Sequence, residues 1–355
     1  MPLSTDETVN ETAAGLVKTL QAAAGEPHPG YRPGKPFQTQ FSHTFTPSFP
    51  ADPPNLTTTK LTSPPAHAKG LLLTGTFTPS PTASTLTTAP HFSSPSTTTP
   101  LTIRFSSSTG IPTIPDTDPS ANPRGIALRF HLATTPHRVH TDVIAHSTPF
   151  FPTRTGADFL AFLRAAGASA GVETHPTPVE AWLGEHPTAV AFLQAPKPFP
   201  ASFATETYFG VTALKFVDAA GKGRFFRYRV LPVAGQKDLD EESVKKESGE
   251  YLYEEIKSRV GGGGGPVEFK LVAQLAEEGD VVDDATVHWP ESREVVELGT
   301  VRVEKVVEEG KQVEEQKTII FDPIPRVEGI EASEDPLLEM RAAVYLISGR
   351  ERRKA

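Results

Sequence analysis

The sequence predicts an α+β protein in which strands and long connections make up most of the chain and helices flank them. Proline occurs 35 times and glycine 27 times among the 355 residues, which disfavours a helical bundle because proline breaks helix interiors. Between residues 40 and 150, short apolar runs alternate with stretches rich in Thr, Ser and Pro. Helical spacing of apolar residues occurs near both chain ends and between residues 155 and 186.

The first predicted element is a helix over residues 4–24, in which apolar side chains recur at helical spacing, namely Val9, Ala13, Leu16, Val17 and Leu20. Residues 25–36 interrupt this pattern with glycine and proline. We therefore expect residues 1–38 to form an N-terminal helical arm, which lies on the body of the protein or on a partner.

Three apolar runs in the first half of the chain predict strands at residues 70–77, 101–106 and 125–132. Residues 78–100 are rich in Ser, Thr and Pro, a composition found in loops, in disordered segments and at sites of O-glycosylation. Because predicted strands lie on both sides, we expect a long surface loop there.

A second helix is predicted at residues 155–166, where Thr155 can cap the N-terminus and Asp158 follows three residues later. Residues 178–186 predict a further short helix. Strands are expected at residues 208–217 and 224–230, with a glycine-containing turn between them.

The last third of the chain begins with residues 236–265, which are charged and then end in five glycines. A glycine run can cradle phosphate, but this one lacks the Lys and Ser/Thr of a P-loop, so we interpret the segment as a surface insertion. Strands are predicted at residues 267–275 and 295–307, and residues 317–321 as the end of another. Residues 335–353 have helical spacing, with Pro336 in the first turn, where proline is tolerated.

Composition excludes several classes of protein. Cysteine is absent, which excludes disulfides, thiolate metal sites and cysteine nucleophiles. The net charge of −9 argues against a nucleic-acid partner, and no apolar run is long enough to span a membrane. The acidic start does not resemble a secretory signal, and the last three residues match a peroxisomal address poorly, so we expect a cytoplasmic or peroxisomal location.

Three groups of residues are candidates for chemistry. His67 precedes a predicted strand, although a lone histidine is more often structural or exposed. Arg104 and Ser106 end the next apolar run. Arg341 and Tyr345 are four residues apart and therefore share one helix face, where the guanidinium favours the phenolate form of the tyrosine. A phenolate can ligate haem iron, and a surface cation–π pair is the simpler alternative.

In order along the chain, these groups and several others form a set of motifs: His-Ala-Lys-Gly at 67–70, Arg-Phe-Ser at 104–106, Pro-Arg-Gly-Ile-Ala at 123–127, Tyr-Phe-Gly at 208–210, Trp-Pro at 289–290, Phe-Asp-Pro at 321–323, and Arg341, Tyr345 and Arg352. The ordered set resembles the haem catalases over roughly residues 35–355. It is most similar to their small catalase-related peroxidase branch, which lacks large C-terminal additions.

The resemblance implies a catalase-like closed antiparallel β-barrel with flanking helices, and haem b buried between them. By position, Tyr345 would be the proximal iron ligand, with Arg341 holding it as phenolate. His67 would be the distal acid–base group, and Ser106 would orient its ring. Two further arginines, Arg104 and Arg352, would bind the haem propionates, and Phe159 would lie beside the haem face. Residues 39–355 would form this haem domain, and we expect a homo-oligomer.

Two positions depart from the family pattern. An Arg usually stands three residues before the distal histidine, where this chain has Pro64, so one propionate partner is missing. The distal Asn of the family corresponds to His146, which we include among the catalytic candidates because an imidazole can donate a hydrogen bond to peroxide.

The resemblance implies a haem-dependent peroxidase or catalase that acts on hydrogen peroxide, with organic donors or hydroperoxides as further substrates. Replacement of the distal Asn favours a peroxidase with modest catalase activity. Rearrangement of fatty-acid hydroperoxides, as in catalase-like allene oxide synthases, is an alternative, but those enzymes have Thr where this chain has Ala66. A non-catalytic haem-binding sensor or store is a second alternative, and a proline-rich β-protein with chance matches is a third.

Overall fold

The computed structural model of the chain describes residues 4–22, 66–263 and 266–354. Three predictions concern residues outside these ranges: the missing propionate partner at Pro64, the boundary of the N-terminal arm at residue 38, and the end of the glycine run.

Twelve strands occur in the described residues. They are β1 (Gly70–Pro79), β2 (Thr99–Ser106), β3 (Gly125–Ala133), β4 (Val139–His146), β5 (Phe199–Pro200), β6 (Tyr208–Phe209), β7 (Leu214–Val217), β8 (Gly223–Pro232), β9 (Asp238–Leu239), β10 (Val267–Leu275), β11 (Val295–Val306) and β12 (Ile330–Ala332). The predicted strand at 208–217 is two short strands, β6 and β7, which both pair with β8.

Eight strands close into an antiparallel barrel, as the resemblance implies. Their order is β10-β11-β1-β2-β3-β4-β6-β8, and β8 pairs with β10 to complete the ring. Strands β7 and β12 extend the sheet beyond β8, and β5 pairs with β9 in a separate ribbon. Closure leaves none of the eight ring strands with a free edge over its whole length, which removes the aggregation hazard of open sheets.

The barrel interior is an apolar core rich in aromatic rings. Phe105 stacks on Phe203 with ring centroids 5.1 Å apart, and Phe216 stacks on Phe226 at 3.5 Å. Because side chains alternate between the two faces of a strand, the residues between these core positions point outward.

Nine α-helices occur in the described residues. They are α1 (Glu7–Ala22), α2 (Ala83–Leu86), α3 (Gly156–Ala168), α4 (Pro178–Gly184), α5 (Pro187–Gln194), α6 (Glu241–Val244), α7 (Tyr251–Ser258), α8 (Glu309–Thr318) and α9 (Pro336–Lys354). The Thr155 side chain accepts a hydrogen bond from the Asp158 backbone N–H, which is the predicted cap of α3. No helix in the described ranges is both long and apolar enough to cross a membrane.

Helices α1, α3, α4 and α9 share a second hydrophobic cluster outside the barrel, which we call the helical layer. Its buried members are Ala13, Leu16, Val17, Leu160, Phe162, Leu163, Ala166, Val179, Met340, Ala343 and Val344. The predicted N-terminal helix therefore packs on α3 and α9 of its own chain.

Three sequence predictions are wrong in part. Residues 78–100 are not simply a surface loop, because Phe92 is fully buried and its ring lies 5.7 Å from that of Phe77 in the barrel core. Residues 317–321 are not the end of a strand, since α8 extends to Thr318. The segment 236–265 is not wholly on the surface, because Leu252 and Ile256 of α7 are buried in the barrel core.

Candidate haem and peroxide site

Four strand ends meet along one row at one end of the barrel. Gly70 pairs with Ser106, Ser106 with Gly125, and Gly125 with His146. Residues opposite one another on paired strands have side chains on the same face of the sheet. The row therefore brings the predicted Ser106 and His146 together, although they are distant in sequence.

This row faces outward from the barrel. The adjacent residues Phe105, Ile126 and Ala145 all belong to the core cluster inside. Because neighbours along a strand point to opposite faces, the row lies on the outer surface, where helices can cover it.

His67 lies three residues before β1 and reaches this row. Its Nδ1 lies 3.1 Å from Ser106 Oγ, the contact that the resemblance implies. The backbone of His67 has φ of +54°, in the left-handed region that non-glycine residues rarely adopt. Gly125 makes room for the ring, since a Cβ there would lie 3.0 Å from His67 Nδ1. Backbone strain held by surrounding contacts is common at functional sites.

Both candidate distal histidines are held neutral. Burial lowers the pKa of His67 to about 4, with further lowering from the positive charges of Arg104, Arg341 and Arg124. Burial lowers the pKa of His146 to about 3, and the charges of His67 and Arg341 act in the same direction. His67 and His146 are half-buried by accessible surface area. Enough protein nevertheless surrounds each ring that loss of solvation is the largest cause of its lowered pKa. A neutral imidazole can accept a proton, which a charged one cannot.

The His146 ring has its own hydrogen-bond partner, which sequence reasoning missed. Its Nδ1 lies 2.8 Å from Thr148 Oγ1, two residues along the chain. This contact fixes the ring orientation and leaves Nε2 as the nitrogen available to a ligand. The ring also lies 6.4 Å from that of Phe151.

Arg341 and Tyr345 lie one turn apart on α9, as the spacing predicts. Arg341 Nε donates a hydrogen bond to Tyr345 Oη at 3.4 Å, and the guanidinium lies 5.8 Å from the centre of the ring. Tyr345 packs against the helical layer and is half-buried. The charge of Arg341 also lowers the pKa of His67 and of His146, so its guanidinium lies within electrostatic reach of both rings.

Arg104 and Arg352 approach one another from β2 and α9. Arg104 Nε donates to the side chain of Gln316 on α8 at 3.0 Å, and Arg352 donates to the backbone carbonyl of Gln316. Sequence reasoning missed Gln316, because nothing in the charged run of α8 distinguishes it from a solvated glutamine. Burial lowers the pKa of each guanidinium to about 10.

Arg104 and Arg352 have no acidic partner in the part of the chain that the structure describes. No carboxylate of the described residues lies within 4.0 Å of either guanidinium, and Arg352 Nε is buried without a hydrogen-bond partner. Arg104 and Arg352 are 6% and 4% exposed, so water does not fully compensate. Buried cations are normally paired, and an anionic group such as a haem propionate fits this pair.

Phe159 lies on α3 and has no direct ring contact with the candidate histidines among the described residues. It belongs to the edge of the helical layer, and its ring lies 5.1 Å from Phe151. Phe151 in turn contacts His146, so Phe159 connects with the barrel side of the site through one intervening ring.

Comparisons with known proteins identify the family. The family model described as "Catalase" matches residues 59–354. "Catalase-related peroxidase" of Mycolicibacterium paratuberculosis is 33% identical over 288 residues, which cover 79% of this chain and 86% of the relative. A protein of the same name from Synechococcus elongatus is 30% identical over 286 residues, covering 79% of this chain and 81% of the relative. The chain therefore belongs to the catalase family.

A third relative shows where the chain falls within the family. "Catalase-2" of Bacillus subtilis is 26% identical over 302 residues, which are 79% of this chain but only 42% of that protein. The chain thus matches the catalase-related peroxidases over most of their length, as the sequence predicts. Family and names together support an oxidoreductase that acts on peroxide.

Proposed function

We propose that this protein is a haem-dependent enzyme that acts on hydrogen peroxide, with His67 as the distal acid–base group and Tyr345 as the iron ligand. The observation that carries the proposal is the position of Arg341. It contacts Tyr345 directly, and its charge also lowers the pKa of both His67 and His146. This contact and these charges support a site in which a phenol and two neutral imidazoles share one region between the barrel and α9.

The residues of this region fit haem b. The Tyr345 oxygen, with a guanidinium beside it, suits iron as an anionic ligand. Arg104 and Arg352 supply two buried cations for the propionates, and Phe159 and Phe151 line an apolar side. Haem iron would supply the electron transfer to and from peroxide.

His67 does the proton chemistry. Its neutral ring accepts a proton from one oxygen of hydrogen peroxide and returns it to the other, so that a water molecule can leave. Such acid–base assistance contributes roughly 10²–10⁴-fold in rate. The Ser106 hydroxyl holds Nδ1, which leaves Nε2 to exchange the proton.

His146 influences which reducing substrate is used. Its Nε2 can hold a peroxide oxygen by a hydrogen bond, but its ring is bulkier than the amide common in the family. We therefore propose oxidation of organic donors as the main activity, with weaker disproportionation of peroxide. The names of the two catalase-related peroxidases support donor oxidation as the stronger of these two activities.

The proposal is tested with the His67→Ala variant of the purified protein. It should retain haem while losing peroxide turnover by about 10²-fold or more. Thr102→Ala, at a half-buried position of β2 where the hydroxyl contacts only His131 among the described residues, is the control and should keep full activity. Haem that is bound without oxygen release or donor oxidation in the wild type would instead indicate a non-catalytic haem protein.

A further inference from the structure

Residues next to the strand ends that form the outer row have side chains that surround one buried acid. Lys69 follows His67 by two positions, Ser107 follows Ser106, and Arg124 precedes Gly125. Their side chains lie on the side of the barrel end opposite the outer row, and all three belong to a hydrogen-bonded group around Asp116. None of these side chains contacts the atoms of the proposed chemistry, although the charge of Arg124 contributes to the lowered pKa of His67.

Asp116 is fully buried and makes contacts with three separate segments. Lys69 Nζ lies 2.9 Å from its Oδ1, and the Leu252 backbone N–H donates to its Oδ2 at 3.0 Å. Arg124 Nη1 lies 4.0 Å from Oδ1, and Nη2 donates to the Asp116 backbone carbonyl. One carboxylate therefore neutralises a cation from the start of β1 and a cation from the start of β3.

Helix α7 closes the group from the other side. Tyr253 Oη donates to the Lys69 carbonyl at 3.0 Å and lies 3.3 Å from Ser107 Oγ, which itself accepts from Arg124 at 2.8 Å. Glu250 also contacts Lys69 at 2.9 Å but is 55% exposed, so water screens its charge. Asp116 is thus the only fully buried acid within this group of described residues.

The ends of β1, β2 and β3 depend on this acid for charge balance. Without its carboxylate, two buried cations would remain beside one screened glutamate, an arrangement that the low-dielectric interior strongly disfavours. The cations would move toward solvent and carry the backbone of residues 66–70 with them. His67, whose left-handed backbone is held only by its surroundings, would then lose its alignment with Ser106.

We propose that Asp116 is a positioning residue for His67, acting through Lys69 and Arg124 to fix the three strand ends that carry the distal side of the site. This inference rests on the proposed function for its catalytic consequence. Its structural part, the alignment of residues 66–70, stands on the contacts alone.

The test compares Asp116→Asn with Asp142→Asn. Asp142 is also a fully buried acid paired with an arginine, Arg129, but it lies in the middle of β4, away from the strand ends that carry the outer row. Hydrogen exchange of residues 66–70 and 104–107 should become about 10-fold faster in Asp116→Asn and stay unchanged in Asp142→Asn. Equal protection of these residues in Asp116→Asn and wild type would overturn the inference.

Kinetics supply a second readout that a general loss of stability would not reproduce. Asp116→Asn should lower kcat/KM for hydrogen peroxide by about 10-fold to 100-fold, since small misalignments of catalytic groups cost that much. The same substitution in a His67→Ala background should have no further effect, because the two residues act as one unit. An additive effect would contradict action through His67.

If Asp116→Asn does not fold, the double variant Lys69→Gln/Asp116→Asn, which removes both charges of this ion pair, is used in its place. This variant should fold and still show faster exchange at residues 66–70, because neutral contacts hold the strand ends less firmly. Hydrogen-exchange rates at residues 66–70 that equal those of the wild type in the double variant would contradict the inference. The exchange measurement needs no peroxide turnover, so an inactive wild type would count against the proposed function and leave this test intact.

Discussion

Gly125→Ala is a one-carbon change that tests the geometry of the distal side. Gly125 lies between Ser106 and His146 in the outer row, and its missing side chain leaves space for the imidazole of His67. An added Cβ would lie 2.7 Å from Ser106 Oγ and 3.0 Å from His67 Nδ1. Real Cβ atoms essentially never approach another heavy atom as closely as 2.7 Å, so Ser106, His67 or both must move.

The expected loss of activity follows from the displacement of Ser106 and His67. The hydrogen bond between His67 and Ser106 is 3.1 Å long, and a shift of several tenths of an ångström at either end breaks it. Its loss costs about 0.5–1.5 kcal/mol, and displacement of the imidazole by about 1 Å costs a further rate factor of about 10². We therefore expect Gly125→Ala to lower kcat/KM for hydrogen peroxide by about 10²-fold to 10³-fold while the barrel still folds.

The assay is the initial rate of peroxide loss per bound haem, measured together with the haem absorbance and the unfolding midpoint. Gly184→Ala is the matched control, because a Cβ at Gly184 would have no atom of the described residues within 4 Å. It should match the wild type in turnover and in haem absorbance, with an unfolding midpoint no lower than that of the wild type. Gly125→Ala with turnover within about 2-fold of wild type would refute the assignment of His67 and Ser106 as a working pair.

Three further predictions concern single side chains. His91 is buried, and neither of its ring nitrogens has a hydrogen-bond partner among the described residues. Burial lowers the pKa of His91 to about 3, so the folded state loses stability as pH falls below 6.5. His91→Phe should therefore reduce the loss of unfolding free energy between pH 7 and pH 5 by about 2 kcal/mol in urea titrations, and an unchanged loss would contradict it. Gln316→Ala should speed haem transfer to an acceptor globin by about 10-fold, since Arg104 loses the group that aligns it; an unaltered rate would remove Gln316 from the cofactor site. His146→Asn should raise oxygen release relative to donor oxidation, measured with an oxygen electrode, and a constant ratio would show that His146 does not set that balance.

The barrel and the helices were predictable where local pattern and tertiary structure agree. The cap at Thr155 and the apolar face of α3 are encoded within a few residues, and so is the pairing of Arg341 with Tyr345 across one helical turn. Ser106 beside His67 came from the resemblance alone, since their contact joins residues 39 positions apart.

The other features of the fold and the site depend on tertiary contacts that no local sequence pattern reveals. Residues 78–100 look like a surface loop because Ser and Thr dominate, yet Phe92 fills the barrel core beside Phe77. Helix α7 lies in a charged segment, and its burial follows only from contacts with distant strands. Gln316 and Asp116 carry ordinary polar side chains, and their importance arises from the buried cations that the fold brings to them.

The most direct test of the central claim is the absorption spectrum of ferric protein with and without Tyr345→Phe. Wild-type protein should show a Soret band with charge-transfer features of phenolate ligation, and the variant should lose those features. Val344→Ile, the neighbouring position on α9, keeps the tyrosine and should preserve them. An unchanged spectrum in Tyr345→Phe would show that another group binds the iron and would contradict the account.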